Sequence, residues 1–397
     1  MNTFVGHPLI EKKENVSKAL LINDTSAWYH WGCTCTSSAI VEQLKDGGFE
    51  VSTIPTNELY DCNNTPQKIT DFDSEEFCQA FVDNNALIFQ RITDVDVVVI
   101  NGEGTLHNLS AIAMNVLYIA YVTKLGLNKP VHIINHSCYP EDSINITDAL
   151  KNGLYKKVYQ YMDSVAVREV VSAKLMGQLG INVIQSFDCL PLYIQRLGIQ
   201  AGNNKTKTIV VAGSVSWDQV RLPILIEFMQ MMCKQGFSIQ VLTGARAFPA
   251  DDDVAFIKAL KEQPFKNWKL TSTATASEWL SIIANATLLV SGRFHHSIAA
   301  AFLKTPFIAL NSNTPKMEGL MQMLHLPEPL RYDDVNLLTK LELKAADLLG
   351  NGQEGLLSND RAEELRKFAL FNFEGILQNK NNTLNKEGGG RYCQMVK

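Results

Sequence analysis

Short apolar runs rich in β-branched residues recur along this chain, each followed by a segment with helical spacing, and that alternation restricts the fold more than any single motif. It starts with "KALLIND" at Lys18, passes through the helix-spaced "SSAIVEQLKDGG", and returns to an extended pattern in "FEVSTIP". It recurs as the run Val97–Ile100, a long helical stretch to about Leu125 and the run Val131–Ile134, then once more through "SVAV" and "VVSAKLMGQLG". Continuous apolar strands separated by helices cannot pair as hairpins, and they are buried on both faces. The reading is a parallel sheet covered by helices on each side.

The pattern breaks once, at Gly198–Thr208 ("GIQAGNNKTKT"), where Gly, Asn and Lys replace apolar periodicity. It then restarts with "TIVVAGSVS", "LPILIEFMQMMCKQG", "SIQVLTGA", "DDVAFIKALKEQ", "WKLTST", "ASEWLSIIANA" and "TLLVSG". At 397 residues the chain exceeds one ordinary core. The expectation is an α/β protein of two Rossmann-like domains, residues 1–200 and 201–358. A closing helix over 359–378 ("NDRAEELRKFALFNFEGILQ") and a mobile polar tail over 379–397 complete the chain.

Composition narrows the function classes. With 46% hydrophobic residues, 19% charged and a net charge of −5, there is no basic field, so no nucleic-acid partner is expected. No run of about 18 apolar residues and no signal-peptide core is apparent, which reads as cytoplasmic. The tail carries Lys380, Lys386, Arg391 and Lys397. Four dispersed charges are a weak membrane anchor, so a solvated tail is favoured over peripheral membrane association. The eight cysteines lack a CxxC pair. Cys33-Thr-Cys35 has no second pair at zinc spacing, so no metal is expected.

In open parallel sheets, ligands bind beyond the carboxyl ends of the strands, where helix N-termini offer free N–H groups. Three polar clusters fall there. Asn101-Gly102-Glu103-Gly104-Thr105-Leu106-His107 follows an apolar strand; its glycines allow close backbone approach, and Glu103 and His107 suit sugar hydroxyls or proton transfer. The alternative is a turn whose Glu103 caps the next helix. Ser291-Gly292-Arg293-Phe294-His295-His296 ends another strand; Arg293 suits bidentate binding of phosphate or carboxylate, and His295 faces an anion at the helix start. Adjacent helical residues diverge by about 100°, so only one of the two histidines is expected to act. Lys316, in "NSNTPKMEGLMQML", completes the set. Smaller candidates at strand ends are His30, His136, Arg168-Glu169 and Asp188, whereas His7, His132 and His325 read as structural or exposed.

The order of these motifs resembles the polysaccharide pyruvyl transferase family over roughly residues 20–320. The resemblance rests on "INGEGTLH", "PVHIINHSCYP", "VAVREVVSAKLMGQLGI", "SFDCLPLY", "SGRFHHSIAAAFLKTPFIAL" and "NTPKMEGLM". It implies a GT-B-like fold, with an acceptor-side and a donor-side domain facing across a cleft and the C-terminal helix crossing back. It also implies transfer of pyruvyl from phosphoenolpyruvate to a sugar as a cyclic ketal, with phosphate release. The acceptor would be a surface polysaccharide or its lipid-linked or nucleotide-linked precursor. No cofactor is implied, since phosphoenolpyruvate is a substrate.

By match to the family's motifs, His295 is the general acid/base, and Arg168 and Lys316 join it in the catalytic set. Ser291, Gly292, Arg293 and His296 fall on the donor side. His30, Asn101, Gly102, Glu103, Gly104, His107 and His136 fall on the acceptor side. Two departures lie on that half: the first loop, "NDTSAWYHWGCTCTSSAI", lacks the family's Gly-Asn-x-Gly-Asp type sequence, and Gly-Glu-Gly replaces a triple glycine. They bear on the sugar more than on the fold. Two alternatives stand: a GT-B-type glycosyltransferase using a nucleotide-activated sugar, and a catalytically silent sugar-binding protein.

Overall fold

The computed structural model describes residues 16–27, 30–107, 109–139, 149–199, 205–213, 220–244, 251–350 and 356–387. The first half holds β1 (Lys18–Asp24), α1 (Trp31–Asp46), β2 (Glu50–Pro55), α2 (Thr56–Tyr60), α3 (Glu75–Asn84) and α4 (Ala86–Thr93). It continues with β3 (Val97–Glu103), α5 (Ala111–Leu125), β4 (Val131–His136), α6 (Ala149–Tyr159), β5 (Ser164–Val167), α7 (Val170–Gln178), β6 (Ile184–Gln185) and α8 (Leu190–Leu197). The second half holds β7 (Thr208–Ala212), α9 (Leu222–Lys234), β8 (Ser238–Leu242), α10 (Asp251–Glu262), β9 (Lys269–Thr271) and α11 (Ala276–Asn285). There follow β10 (Leu288–Ser291), α12 (Phe294–Phe302), β11 (Phe307–Ala309), α13 (Lys316–Leu324), α14 (Leu337–Gly350) and α15 (Asn359–Glu387).

The strands form two sheets, ordered β2-β1-β3-β4-β5-β6 and β11-β10-β7-β8-β9. Every pairing is parallel, as the uninterrupted apolar runs require. In each sheet the strand order reverses once, between β1 and β3 and between β7 and β10. Crevices open at such reversals because successive connections leave on opposite sides.

Alternate residues along each strand divide the core. Leu20, Ile22, Val98 and Ile100 pack on the outer helices of the first sheet, and Ile209, Val211 and Val290 on those of the second. Ala19, Leu21, Val99, Val210 and Leu289 face a third cluster shared by both halves. That cluster takes residues from α1, α8, α11, α12, α13 and α15, so the halves pack as one unit. Gly319 on α13 sits so close to the Glu169 carboxylate that a Cβ there would lie 2.3 Å from Oε2.

A ladder of buried asparagines fixes the strand ends beneath the cleft. Asn23 and Asn135 adopt left-handed backbone, with φ of 64° and 52°, a conformation that asparagine tolerates better than most residues. Asn23 Nδ2 donates to the Asn101 carbonyl at 2.6 Å, and Asn135 Nδ2 donates to Asn101 Oδ1 at 3.2 Å. Asn372, on α15, accepts from the Asn135 N–H at 2.8 Å and donates to the Phe187 carbonyl at 2.9 Å. The C-terminal helix therefore crosses back onto the first sheet. Leu365, Ala369, Phe373 and Ile376 enter the shared core there, each large apolar side chain contributing about 1.5–3 kcal/mol.

Two boundaries differ from expectation. Strand β3 does not stop at Ile100 but continues through Glu103, because Asn101 and Glu103 remain in register with Ile134 and His136 of β4. The closing helix does not end at Gln378 but runs to Glu387. Lys380 Nζ donates to the carbonyls of Gly47 (2.7 Å) and Gly48 (2.9 Å) and lies over the Phe49 ring, so polar residues extend the helix. Residues 200–204 of the expected linker, together with His7, Arg391, Cys393 and Lys397, lie outside the described residues. No helix among the described residues is long and apolar enough to cross a membrane.

Candidate active site

The crevices of the two sheets meet in one cleft of about 400 Å³. The first half contributes His30, Cys33, Glu103, Gly104, His107 and Arg168; the second contributes Gly244, Gly292, Arg293, Phe294, His295 and Lys316. A backbone bond from Trp31 N–H to the Gly244 carbonyl, 2.9 Å, joins the two sides at the rim.

His295 lies in the first turn of α12, just after the extended Arg293 that begins the helix. Its Nε2 lies 3.4 Å from Asp188 Oδ2 and 3.7 Å from Glu103 Oε1, two carboxylates of the opposite half. Room for the ring exists because residue 32 is glycine: a Cβ there would lie 2.2 Å from the imidazole. Asp188 is fully buried. Burial alone would raise its pKa, but His295, Arg168 and the Leu190 N–H together hold its carboxyl below the ordinary range.

Three cations converge on the cleft, and two carry their own counter-ions. Arg168 Nη1 grips Asp188 Oδ2 at 2.7 Å, its Nε donates to Ser137 Oγ at 2.8 Å, and its plane lies over Phe294 at 4.5 Å. Arg293 pairs with Asp253 of α10, whose other oxygen accepts the Gly244 N–H. Lys316, half-buried at the start of α13, contacts no carboxylate among the described residues. Burial and the neighbouring Arg168 push its ammonium down to about 8, with Arg293 acting in the same direction and Glu103 opposing. The arginines are positioned and neutralised, whereas the lysine carries the uncompensated charge.

On the facing wall, Glu103 Oε1 accepts from the Cys33 thiol at 3.2 Å. Burial and the adjacent Glu103 raise the Cys33 pKa well above its usual value, which keeps the thiol protonated. A Cβ at Gly104 would meet nothing within 4 Å, so the turn there opens onto free space. His107 Nδ1 bonds the Gly104 carbonyl. Helix α5 is capped by Ser110, whose Oγ accepts from Ala113, and not by Glu103. That frees Glu103 for the cleft.

Several expected site residues lie elsewhere. His136 is a correction: it is buried behind Gly102, its Nε2 bonded to Tyr159 Oη at 2.7 Å, and burial and Arg168 lower its pKa to about 3. Asn101 and Gly102 belong to the strand beneath the cleft: Asn101 supports the asparagine ladder, and Gly102 gives His136 space. Ser291 Oγ accepts the Arg293 N–H at 3.0 Å and shapes the turn without reaching the cleft. His296 forms part of the floor. Its Nε2 is taken by the Trp279 indole N–H at 3.0 Å, and burial and Arg293 drive its pKa far down, so it is neutral. Of these two adjacent histidines, His295 is the one whose Nε2 is buried and without a hydrogen-bond partner.

Residues the sequence did not single out complete the cleft. Cys33, Thr25, Thr56 and Tyr60 line it, and Asp253 holds Arg293. Asp253 is the third of three consecutive aspartates at a helix start, where acids suit the helix dipole, so its sequence position carries no separate signal. Cys33 lies in the first turn of α1, ahead of the helix-spaced stretch that begins at Ser37, so the sequence pattern does not mark it.

The model of a family described as "Polysaccharide pyruvyl transferase" matches residues 37–314. No curated protein sequence matches the chain. Among solved structures, it is similar to a UDP-GlcNAc 2-epimerase from Methanocaldococcus jannaschii, with TM-score 0.55, 14% identity, and 89% of this chain and 99% of that one covered. It is also similar to a UDP-GlcNAc 2-epimerase from Neisseria meningitidis, with TM-score 0.56, 11% identity, and coverage of 91% and 100%. A glycosyltransferase from Rickettsia africae gives TM-score 0.51 and 15% identity, with coverage of 94% and 98%. At these identities the likeness establishes a GT-B-type architecture of two Rossmann-like halves and no substrate.

Proposed function

The chain belongs to the polysaccharide pyruvyl transferase family, and from that premise we propose that it transfers pyruvyl from phosphoenolpyruvate to two hydroxyls of a sugar, releasing phosphate. The observation that carries this reading is Lys316, a cation without a contacting carboxylate, set beside two positioned arginines and a histidine with a free nitrogen. A small donor bearing both phosphate and carboxylate suits that array.

In this reading Lys316 and the guanidinium edges of Arg293 and Arg168 bind the two anionic groups. His295, whose Nε2 lies 3.4 Å from Asp188 Oδ2, delivers a proton to the methylene carbon, which becomes the methyl group. The adjoining carbon becomes electrophilic, and an acceptor hydroxyl attacks it while Glu103 takes the hydroxyl proton. The carbon–oxygen bond to phosphate breaks, a second hydroxyl closes the ketal, and its proton leaves with the phosphate. His107, Thr25 and Tyr60, which line the cleft, orient the sugar in this reading.

A second reading has one observation in its favour. A neighbouring cavity of about 710 Å³ between α7 and α13 shares Ser312 with the cleft and would house a nucleoside, as transfer from a nucleotide-activated sugar requires. The leaving group separates the two. Incubation with phosphoenolpyruvate and a panel of nucleotide-linked and lipid-linked sugars is expected to release inorganic phosphate and give a pyruvate ketal detectable by mass. Release of a nucleotide from an activated sugar would overturn the proposal.

A further inference from the structure

Cys33, Glu103 and His295 place a thiol sulfur, a carboxylate oxygen and an imidazole nitrogen within 4.8 Å of one another. The sulfur lies 3.2 Å from Glu103 Oε1, and His295 Nε2 lies 3.7 Å from that same oxygen. A tetrahedral ion with bonds of about 2.0–2.3 Å to S, N and O ligands separates its donors by about 3.3–3.6 Å. The spacing therefore approximates a coordination shell before any ion arrives. The nitrogen is buried and makes no hydrogen bond, although two carboxylates face it. From this geometry we propose that Cys33, Glu103 and His295 form a binding site for a thiophilic divalent cation of the Zn2+ class, built across the two halves of the protein.

The donor set decides the class of ion. Sulfur with imidazole and one carboxylate suits Zn2+ or Co2+ and not Mg2+ or Ca2+, which take oxygen ligands. Charge supports the same choice: thiolate and Glu103 supply two negative charges, and Asp188 lies just behind His295. Arg168 and Lys316 oppose a cation, so the site is regulatory in strength and not a permanent structural centre. Binding breaks the Cys33 S–H bond, forms the S–metal bond and sends the proton to solvent. All three residues line the cleft, so the ion would be reached from it. Because the metal takes the Nε2 lone pair, it competes with any proton-carrying role of His295, and it ties α1 and β3 to α12.

The test is direct. Full-length protein stripped with a chelator is titrated with Zn2+ by calorimetry and with Co2+ by absorption, for wild type, Cys33→Ser, His295→Gln and the control Cys62→Ser. One ion per chain is expected, with a thiolate-to-cobalt band, and at least about 100-fold weaker binding in Cys33→Ser and His295→Gln but not in Cys62→Ser. Zn2+ is also expected to raise the thermal midpoint of wild type and not of Cys33→Ser. Equal affinity in wild type and Cys33→Ser, or no binding by wild type in the micromolar range, would overturn the site. The readouts do not depend on turnover, so they stand apart from the pyruvyl-transfer reading.

Discussion

His295 Nε2 and Arg168 Nη1 approach the same oxygen, Asp188 Oδ2, at 3.4 and 2.7 Å. One buried carboxylate thus serves a cation of the first half and a histidine of the second. Replacing it with asparagine removes the charge that both use. Asp188→Asn is expected to lose about 3 kcal/mol of stability, because Arg168 is left buried without its counter-ion. Its kcat is expected to fall as His295 loses the carboxylate beside its Nε2, and urea unfolding with steady-state kinetics on the same preparation measures both. A variant with wild-type stability would show that the pair does not hold the halves' polar junction.

Lys316 sets a pH limit on anion binding. An ammonium that loses its proton near 8 binds an anion below that pH and progressively less above it. Affinity is expected to fall about tenfold per unit above pH 8, where an ordinary lysine would stay charged. Phosphoenolpyruvate titrations between pH 7 and 9.5 should show that slope in wild type and none in Lys316→Met.

Gly32 is small for the benefit of another residue. It lies inside α1, where alanine would be the better helix former by about 1 kcal/mol, yet a Cβ there meets the His295 ring at 2.2 Å. Gly32→Ala is expected to leave anion affinity near wild type and to lower kcat about 100-fold by displacing the imidazole. A fall in affinity with unchanged kcat would contradict that assignment.

Much of the fold was legible because its strands are continuous apolar runs, and "VVVI", "TIVVA" and "LLVS" all became central strands. The site was legible in part. His295, Glu103 and Lys316 stand where strand-end reasoning puts them, but His136 stands at a strand end as well and turns inward to Tyr159. Period-two alternation does not reveal which end residues face a cleft. The counter-ions were hidden for a related reason: Asp188 is 20 residues from Arg168 and Asp253 is 40 from Arg293 in sequence, so only the packed structure pairs them. The extension of α15 to Glu387 was hidden by its polar composition, since its Lys380 contact is with backbone carbonyls and an aromatic face.

Asn372 secures that helix. Its amide accepts from the Asn135 N–H and from Ser186 Oγ (3.0 Å) and donates to the carbonyls of Phe187 and Ala369. Asn372→Ala orphans buried groups that cost about 1–3 kcal/mol each. A clear drop in the urea midpoint is expected, and an unchanged midpoint would show that α15 is held by its apolar face alone.

The measurement closest to the central claim is a calorimetric titration of the purified protein with phosphoenolpyruvate and, separately, with UDP-GlcNAc and other nucleotide sugars, repeated on Lys316→Ala. The account predicts that phosphoenolpyruvate binds and that the substitution weakens it by about 1.5–3 kcal/mol, the scale of a charged hydrogen bond. Binding of a nucleotide sugar as donor, with no binding of phosphoenolpyruvate, would contradict it.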